Sequence, residues 1–182
     1  MAAPEYSYLR RECPAVQIPE GTAARLSQGT RVRITQALGG SFTVATDRGY
    51  LFRIAPEDAD ALGKQPGEAL AEPAPSADNS LEEQVWARLK TCYDPEIPIN
   101  IVDLGLVYNC EVHPRPEGGN RVDIKMTLTA PGCGMGPVLA KEVKERVEKI
   151  PTVEQADVEV VFDPQWDQAM MSEAARLELG LF

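Results

Sequence analysis

Four thiols are the groups in this chain best suited to chemistry. Cys13, Cys92, Cys110 and Cys133 are separated by 79, 18 and 23 residues, none forms CxxC, and the single histidine, His113, lies in no zinc spacing. The spacing therefore argues against a complete structural zinc site within one chain, and against an iron–sulfur holder with four cysteine ligands. Any cluster bound here would take ligands from a second chain or a small thiol. Cys133 stands apart from the other three. It lies in TAPGCGMGP, between a strand pattern and a helix pattern, with Gly132, Gly134 and Gly136 around it and Pro137 behind. Glycine lets the backbone approach closely and leaves the side chain accessible. A helix start presents free N–H groups and a positive dipole end, which favours thiolate, the form that binds metal or attacks an electrophile. The plainer alternative is a tight turn carrying a small residue. The run lacks the Lys-Ser/Thr of a phosphate-binding loop and does not match G-x-G-x-x-G.

A second candidate segment is YDPEIPINIVDLGLVY, with Asp94, Glu96 and Asp103 inside ten residues. Pro95 and Pro98 stop a helix, so an extended, ordered loop is expected. One or two of the carboxylates near Cys133 would assist iron ligation or orient a partner. Otherwise Asp94 caps the turn and the others are solvated. Cys92 and Cys110 read as core residues, Cys13 as either exposed or tucked under the first strand, His113 as a solvent-facing loop residue, and Trp166 as a lid on the core. There is no G-x-S-x-G elbow, and a single histidine gives little support to a Ser–His or Cys–His nucleophile.

The elements that would hold these residues fall into two parts. Residues 64–79, KQPGEALAEPAPSADN, read as a Pro/Ala-rich linker between a small all-β domain, 1–63, and a domain over 80–182. In the first part RVRIT, SFTVAT and YLFRI alternate or are β-branched and are separated by Gly-containing turns. They predict a three-stranded meander that closes a small barrel with the leading segment. Arg31 and Arg33 read as a solvated strand face. In the second part Ser80-Leu-Glu-Glu83 has capping-box form, with Leu81, Val85 and Leu89 on one helix face behind it. Residues 106–112 alternate with Leu106, Tyr108, Cys110 and Val112 inward. RVDIKMTLT points Val122, Ile124, Met126 and Leu128 one way and Arg121, Asp123, Lys125, Thr127 and Thr129 the other. PVLAKEVKERVEKI is a helix with Val138, Val143, Val147 and Ile150 as its stripe, and ADVEVVF a strand with Val158, Val160 and Phe162 inward. The fold class is α+β: a β meander or barrel, then a two-layer α-β-β-α-β domain with a three-stranded sheet and a terminal helix.

The charge of −10 over 182 residues argues against nucleic acid and against an anionic membrane surface. No basic n-region with an apolar run opens the chain, and no run reaches the roughly 20 apolar residues of a span. A cytoplasmic setting with reduced thiols is expected.

DPEIPINIVDLGLVY, MTLTAPGCGMGP and VFDPQWDQAMMSEAARLELG together resemble the small domain shared by SufT, PaaD and the eukaryotic cytosolic iron–sulfur targeting factor. ITQALGGSFTV followed by DADALG resembles the longer bacterial SufT type, so the likeness covers nearly the whole chain except the linker. The resemblance implies an α/β fold like other cluster-assembly domains. It implies an accessory, non-enzymatic role in maturing or delivering iron–sulfur clusters to client apoproteins beside Suf-type assembly proteins, with iron or a cluster held transiently. The family's cysteine falls on Cys133 and its acidic loop on Asp94, Glu96 and Asp103. Its T-x-P element falls on Thr129 and Pro131, with Gly132 and Gly134 flanking the thiol. A homodimer pairing two Cys133 loops would bridge a cluster. Two rival readings remain: a metal-free adaptor docking clients, and a thiol-dependent enzyme, which ranks last because no resolving cysteine lies nearby.

Overall fold

The computed structural model describes residues 5–66 and 79–181. The segment expected as the linker, 64–79, lies mostly outside them. The chain divides into two compact units, Met1–Ala71 with Pro95–Pro98, and Glu72–Asp94 with Ile99–Phe182.

In the first unit the expected meander is present as β4 (Arg31–Leu38), β5 (Ser41–Thr46) and β6 (Leu51–Ile54). Three further strands join it: β1 (Glu5–Tyr8), β2 (Cys13–Ile18) and β3 (Thr22–Leu26). They form one antiparallel sheet of order β1-β4-β5-β6-β2-β3. The β2–β3 hairpin escaped the sequence because TAARL carries almost no β propensity. Its pairing with β2 supplies what the residues do not. A 3₁₀ helix, Pro56–Leu62, closes the unit and ends at Gly63 in the left-handed conformation. Cys13 is fully buried among Leu9, Val32, Phe42, Val44 and Ile54, so it is a core thiol.

The second unit follows the expected order: α1 (Leu81–Leu89), β7 (Val107–Pro114), β8 (Asn120–Met126), α2 (Gly136–Glu148), β9 (Val153–Val160) and α3 (Glu173–Glu178). β7 and β8 are antiparallel and β8 and β9 parallel, the latter joined through α2 as a parallel pair requires. The capping box forms: the Ser80 hydroxyl accepts from the Glu83 amide, and the Ser80 amide donates to the Glu83 carboxylate at 2.9 Å. Val85, Leu89, Val122, Ile124, Met126, Val143 and Val147 are wholly buried. Each such side chain contributes about 1.5–3 kcal/mol of hydrophobic stabilisation.

Five local expectations are corrected. Phe162 was expected inward, but β9 stops at Val160 and Phe162 is 49% exposed. Tyr108 was expected to share the face of Cys110. A register shift between Val107 and Asn109 leaves it as the extra residue of a bulge, and its hydroxyl donates instead to the Pro164 carbonyl at 2.8 Å. His113 sits within β7, paired with Arg121, rather than in the hairpin loop. Thr127 was expected on the solvated face, but it lies just past β8 and is 1% exposed. On α2 it is Leu139 rather than Val138 that leads the buried stripe.

Candidate functional site

Cys133 lies where β8 gives way to α2. Leu128 is buried, Ala130, Pro131 and Gly132 are exposed, and Cys133 and Gly134 are half-buried before Met135 returns to the core. Two backbone bonds shape the turn. The Cys133 amide donates to the Ala130 carbonyl at 3.4 Å, and the Gly136 amide donates to the Cys133 carbonyl at 3.2 Å. Gly132 has φ +79°, a conformation L side chains rarely adopt, and Thr129 and Pro131 lead into it. Gly136 is held for another reason: a Cβ there would stand 2.8 Å from Leu128 Cδ1. The helix that follows has no side-chain cap at its start, with Pro137 in its first turn.

The other thiols are unlike Cys133. Cys13 and Cys92 are fully buried. Burial is the main cause that pushes the thiols of Cys13 and Cys110 up to about 11. At neutral pH both are neutral and poor ligands.

The acidic segment is more ordered than a solvated loop. Tyr93 and Asn100 form an isolated antiparallel bridge, and the Asp94 amide donates to the Ile99 carbonyl at 3.3 Å. Asp94 itself is buried, 8% exposed, while Glu96, in Pro95–Pro98, is exposed. Asn100 then caps a single helical turn: its Oδ1 accepts from the amides of Val102 and Asp103, and its Nδ2 donates to Asp103 Oδ2 at 2.6 Å. That turn ends at Gly105, φ +73°, where Leu106 N–H reaches the Ile101 carbonyl and Gly105 N–H the Val102 carbonyl. Asp103 is therefore committed to the local turn through Asn100. Among the described residues no three of His, Cys, Asp and Glu come together so as to hold a metal ion.

The Asp103-Leu104-Gly105 turn is clasped by the C-terminal segment. The Ser172 amide donates to the Asp103 carbonyl at 2.8 Å, and Trp166 Nε1 donates to the Leu104 carbonyl at 2.8 Å. Met170 closes over Gly105 so tightly that a Cβ there would collide with the Met170 carbonyl. Trp166 is thus a half-buried clasp, more specific than a lid. Sequence reading also missed Thr127. Its backbone amide donates to the Leu106 carbonyl, yet its buried hydroxyl has no hydrogen-bond partner among the described residues. A threonine one step past a period-two apolar strand was the only signal in the sequence.

The chain is 42% identical over 99 residues to the Fe-S protein maturation auxiliary factor of Porphyromonas gingivalis, covering 90% of that protein and 54% of this one. The chain belongs to the iron–sulfur cluster assembly protein family. That family's model matches residues 82–160, which takes in the Cys133 turn and the acidic segment but none of β1 to β6. The resemblance read in ITQALGGSFTV and DADALG lies outside the matched residues. The Fe-S protein maturation auxiliary factor SufT of Staphylococcus aureus is 44% identical over 88 residues, 96% of its length and 48% of this chain. A solved domain of unknown function from Bacillus anthracis is 34% identical, with a TM-score of 0.49 over 56% of this chain and 93% of that one. Within this family, Cys133 is the one thiol in residues 82–160 that sits on a surface turn. Cys92 is buried, and Cys110 lies on β7 with its thiol driven up by burial.

Proposed function

We propose that this protein is an accessory factor in iron–sulfur cluster assembly, matures or delivers clusters to client apoproteins, and uses Cys133 as a transient ligand of the iron it passes on. The supporting observation is the placement of Cys133: half-buried on a glycine-lined turn within the family-matched residues, while the described neighbours supply no complete metal-binding set. A thiolate is a soft ligand suited to iron in clusters. A single one leaves the other positions to a second chain or a small thiol, which suits exchange rather than storage. Delivery is then ligand exchange without redox change. A client thiol loses its proton and bonds iron, the bond from iron to Cys133 Sγ breaks, and Cys133 takes up a proton.

In this reading residues 80–182 are the assembly domain, 1–63 an accessory domain and 64–79 the linker. The acidic residues Asp94, Glu96 and Asp103 assist iron ligation or orient a partner, and Thr129, Pro131, Gly132 and Gly134 set the turn. The partners are Suf-type assembly proteins and clients in the cytoplasm, and the protein turns over no metabolite. Among the described residues no helix is long and apolar enough to cross a membrane.

The test measures the activity of a [4Fe–4S] enzyme such as aconitase relative to its own protein level. The native strain, a deletion and a Cys133→Ser strain at normal abundance are compared under high cluster demand. Equal loss in deletion and Cys133→Ser, with the client protein still present, is expected. A Cys133→Ser strain that matches the native one while the deletion fails would make the protein a metal-free adaptor. No change in either would set aside the maturation role.

A further inference from the structure

The protein as a whole is acidic, at −10, but residues 5–66 carry eight Lys or Arg against seven Asp or Glu. Seven of those eight cations are arginine. Three of them, Arg25, Arg31 and Arg48, line a surface cavity of about 490 Å³ with Asp47, Tyr50 and Phe52. The cavity draws on β3, β4 and the turn between β5 and β6, so its cations are brought together by the sheet and not by sequence proximity.

The three arginines are engaged to different degrees. Arg25 pairs with Glu12 at 2.7 Å, and both side chains are more than half exposed. Arg31 stands 3.9 Å from Asp47 and 4.3 Å over the ring of Tyr6. Among the described residues Arg48 has no ion-pair or hydrogen-bond partner for its exposed guanidinium. It does have a rigid base. The turn that carries it is closed by Thr46 N–H to the Tyr50 carbonyl and Gly49 N–H to the Thr46 carbonyl, both at 2.9 Å, with Gly49 at φ +83°. Tyr50 is 54% exposed beside it, and Tyr8, 64% exposed, is the cross-strand partner of Arg31. Exposed tyrosine and arginine on a fixed scaffold is the composition of energetically dominant positions in protein interfaces. The closed turn holds the Arg48 backbone in place, so only its side chain is ordered on binding.

We propose that this arginine cavity of the first unit docks an acidic, carboxylate-rich segment of a partner protein. The planar guanidinium fork matches a carboxylate bidentately, and the near-exclusion of lysine favours such directional pairing over diffuse attraction. Single-stranded nucleic acid would also use arginine and tyrosine. It would, however, bring a continuous row of phosphates against a unit that is nearly neutral and a chain that is net negative. A short peptide needs compensation only at the three arginines. This docking role does not depend on Cys133 or on cluster chemistry.

The test uses the full chain and a fluorescein-labelled, C-terminally amidated peptide with three glutamates spaced by glycines, at low ionic strength, read by fluorescence anisotropy. A dodecathymidylate and inorganic phosphate serve as competitors, and thermal melts confirm that each variant is folded. Arg48→Glu is compared with Lys141→Glu, which makes the same charge change at an exposed site on α2. The native chain is expected to bind the peptide with a strong salt dependence. Arg48→Glu should weaken binding about tenfold and Lys141→Glu less than about twofold. The proposal is overturned if the native chain does not bind, if the two variants lose binding equally, or if the oligonucleotide or phosphate binds at least as tightly as the peptide.

Discussion

Trp166 Nε1 donates to the carbonyl of Leu104 at 2.8 Å, across 62 residues of sequence, and so fixes the Asp103-Leu104-Gly105 turn from outside. Trp166→Phe removes this donor together with the five-membered ring that carries it. It should lower unfolding free energy by about 1 kcal/mol, because the Leu104 carbonyl loses its partner. Urea denaturation with unchanged m-value checks this.

Gly105 is the counterpart of that clasp. Gly105→Ala adds a Cβ at φ +73° and drives it into the Met170 carbonyl. The expected cost is about 2–4 kcal/mol, combining backbone strain and overpacking. Gly132→Ala, also at positive φ but with nothing within 4 Å, should cost about 1–2 kcal/mol. A larger loss at Gly132 than at Gly105 in the same titration would contradict the clasp.

Thr127→Val replaces an unpartnered buried hydroxyl by a methyl group of similar shape. Stability should stay level or rise by up to about 1–2 kcal/mol, since an unsatisfied buried polar group is removed. A fall of more than about 1 kcal/mol in the melting or urea curve would mean that the hydroxyl is satisfied in solution.

Thiol labelling should separate the cysteines. In the native protein at pH 8, Cys133 should react with iodoacetamide first. Cys13 and Cys110, with pKa values pushed up to about 11, hold only about one part in a thousand as thiolate. Mass spectrometry of partially alkylated protein gives the order of modification, and early labelling of Cys13 or Cys110 would refute it.

The same two thiols make stability depend on alkaline pH. Their folded pKa values lie above the ordinary thiol value of 9.0, so both states are protonated below about pH 9 and this stabilisation is complete. As pH rises from 9 through 11 the unfolded chain ionises while the folded one stays neutral. Stability should therefore fall, by up to about 2 kcal/mol for each thiol. Cys13→Ala should flatten that slope in urea titrations at pH 8, 9, 10 and 11.

Much of the second unit was legible in its sequence because its determinants are local. The Ser80–Glu83 box starts α1, and the alternation at Val122, Ile124 and Met126 sets the buried face of β8. The glycines around Cys133 mark the turn where the thiol is found. Each of these signals lies within one element or one turn. What the tertiary structure decided depends on distant partners. The bulge at Tyr108 was set by pairing with β8 and contact with Pro164, β3 by pairing with β2, and the Asp103–Gly105 turn by Trp166, Met170 and Ser172. The arginine cavity likewise joins residues from three separate stretches of chain. Period and propensity report which face of an element is apolar. They carry no information on which remote backbone group will meet a given donor, because that is fixed only when the sheets and the C-terminal segment pack.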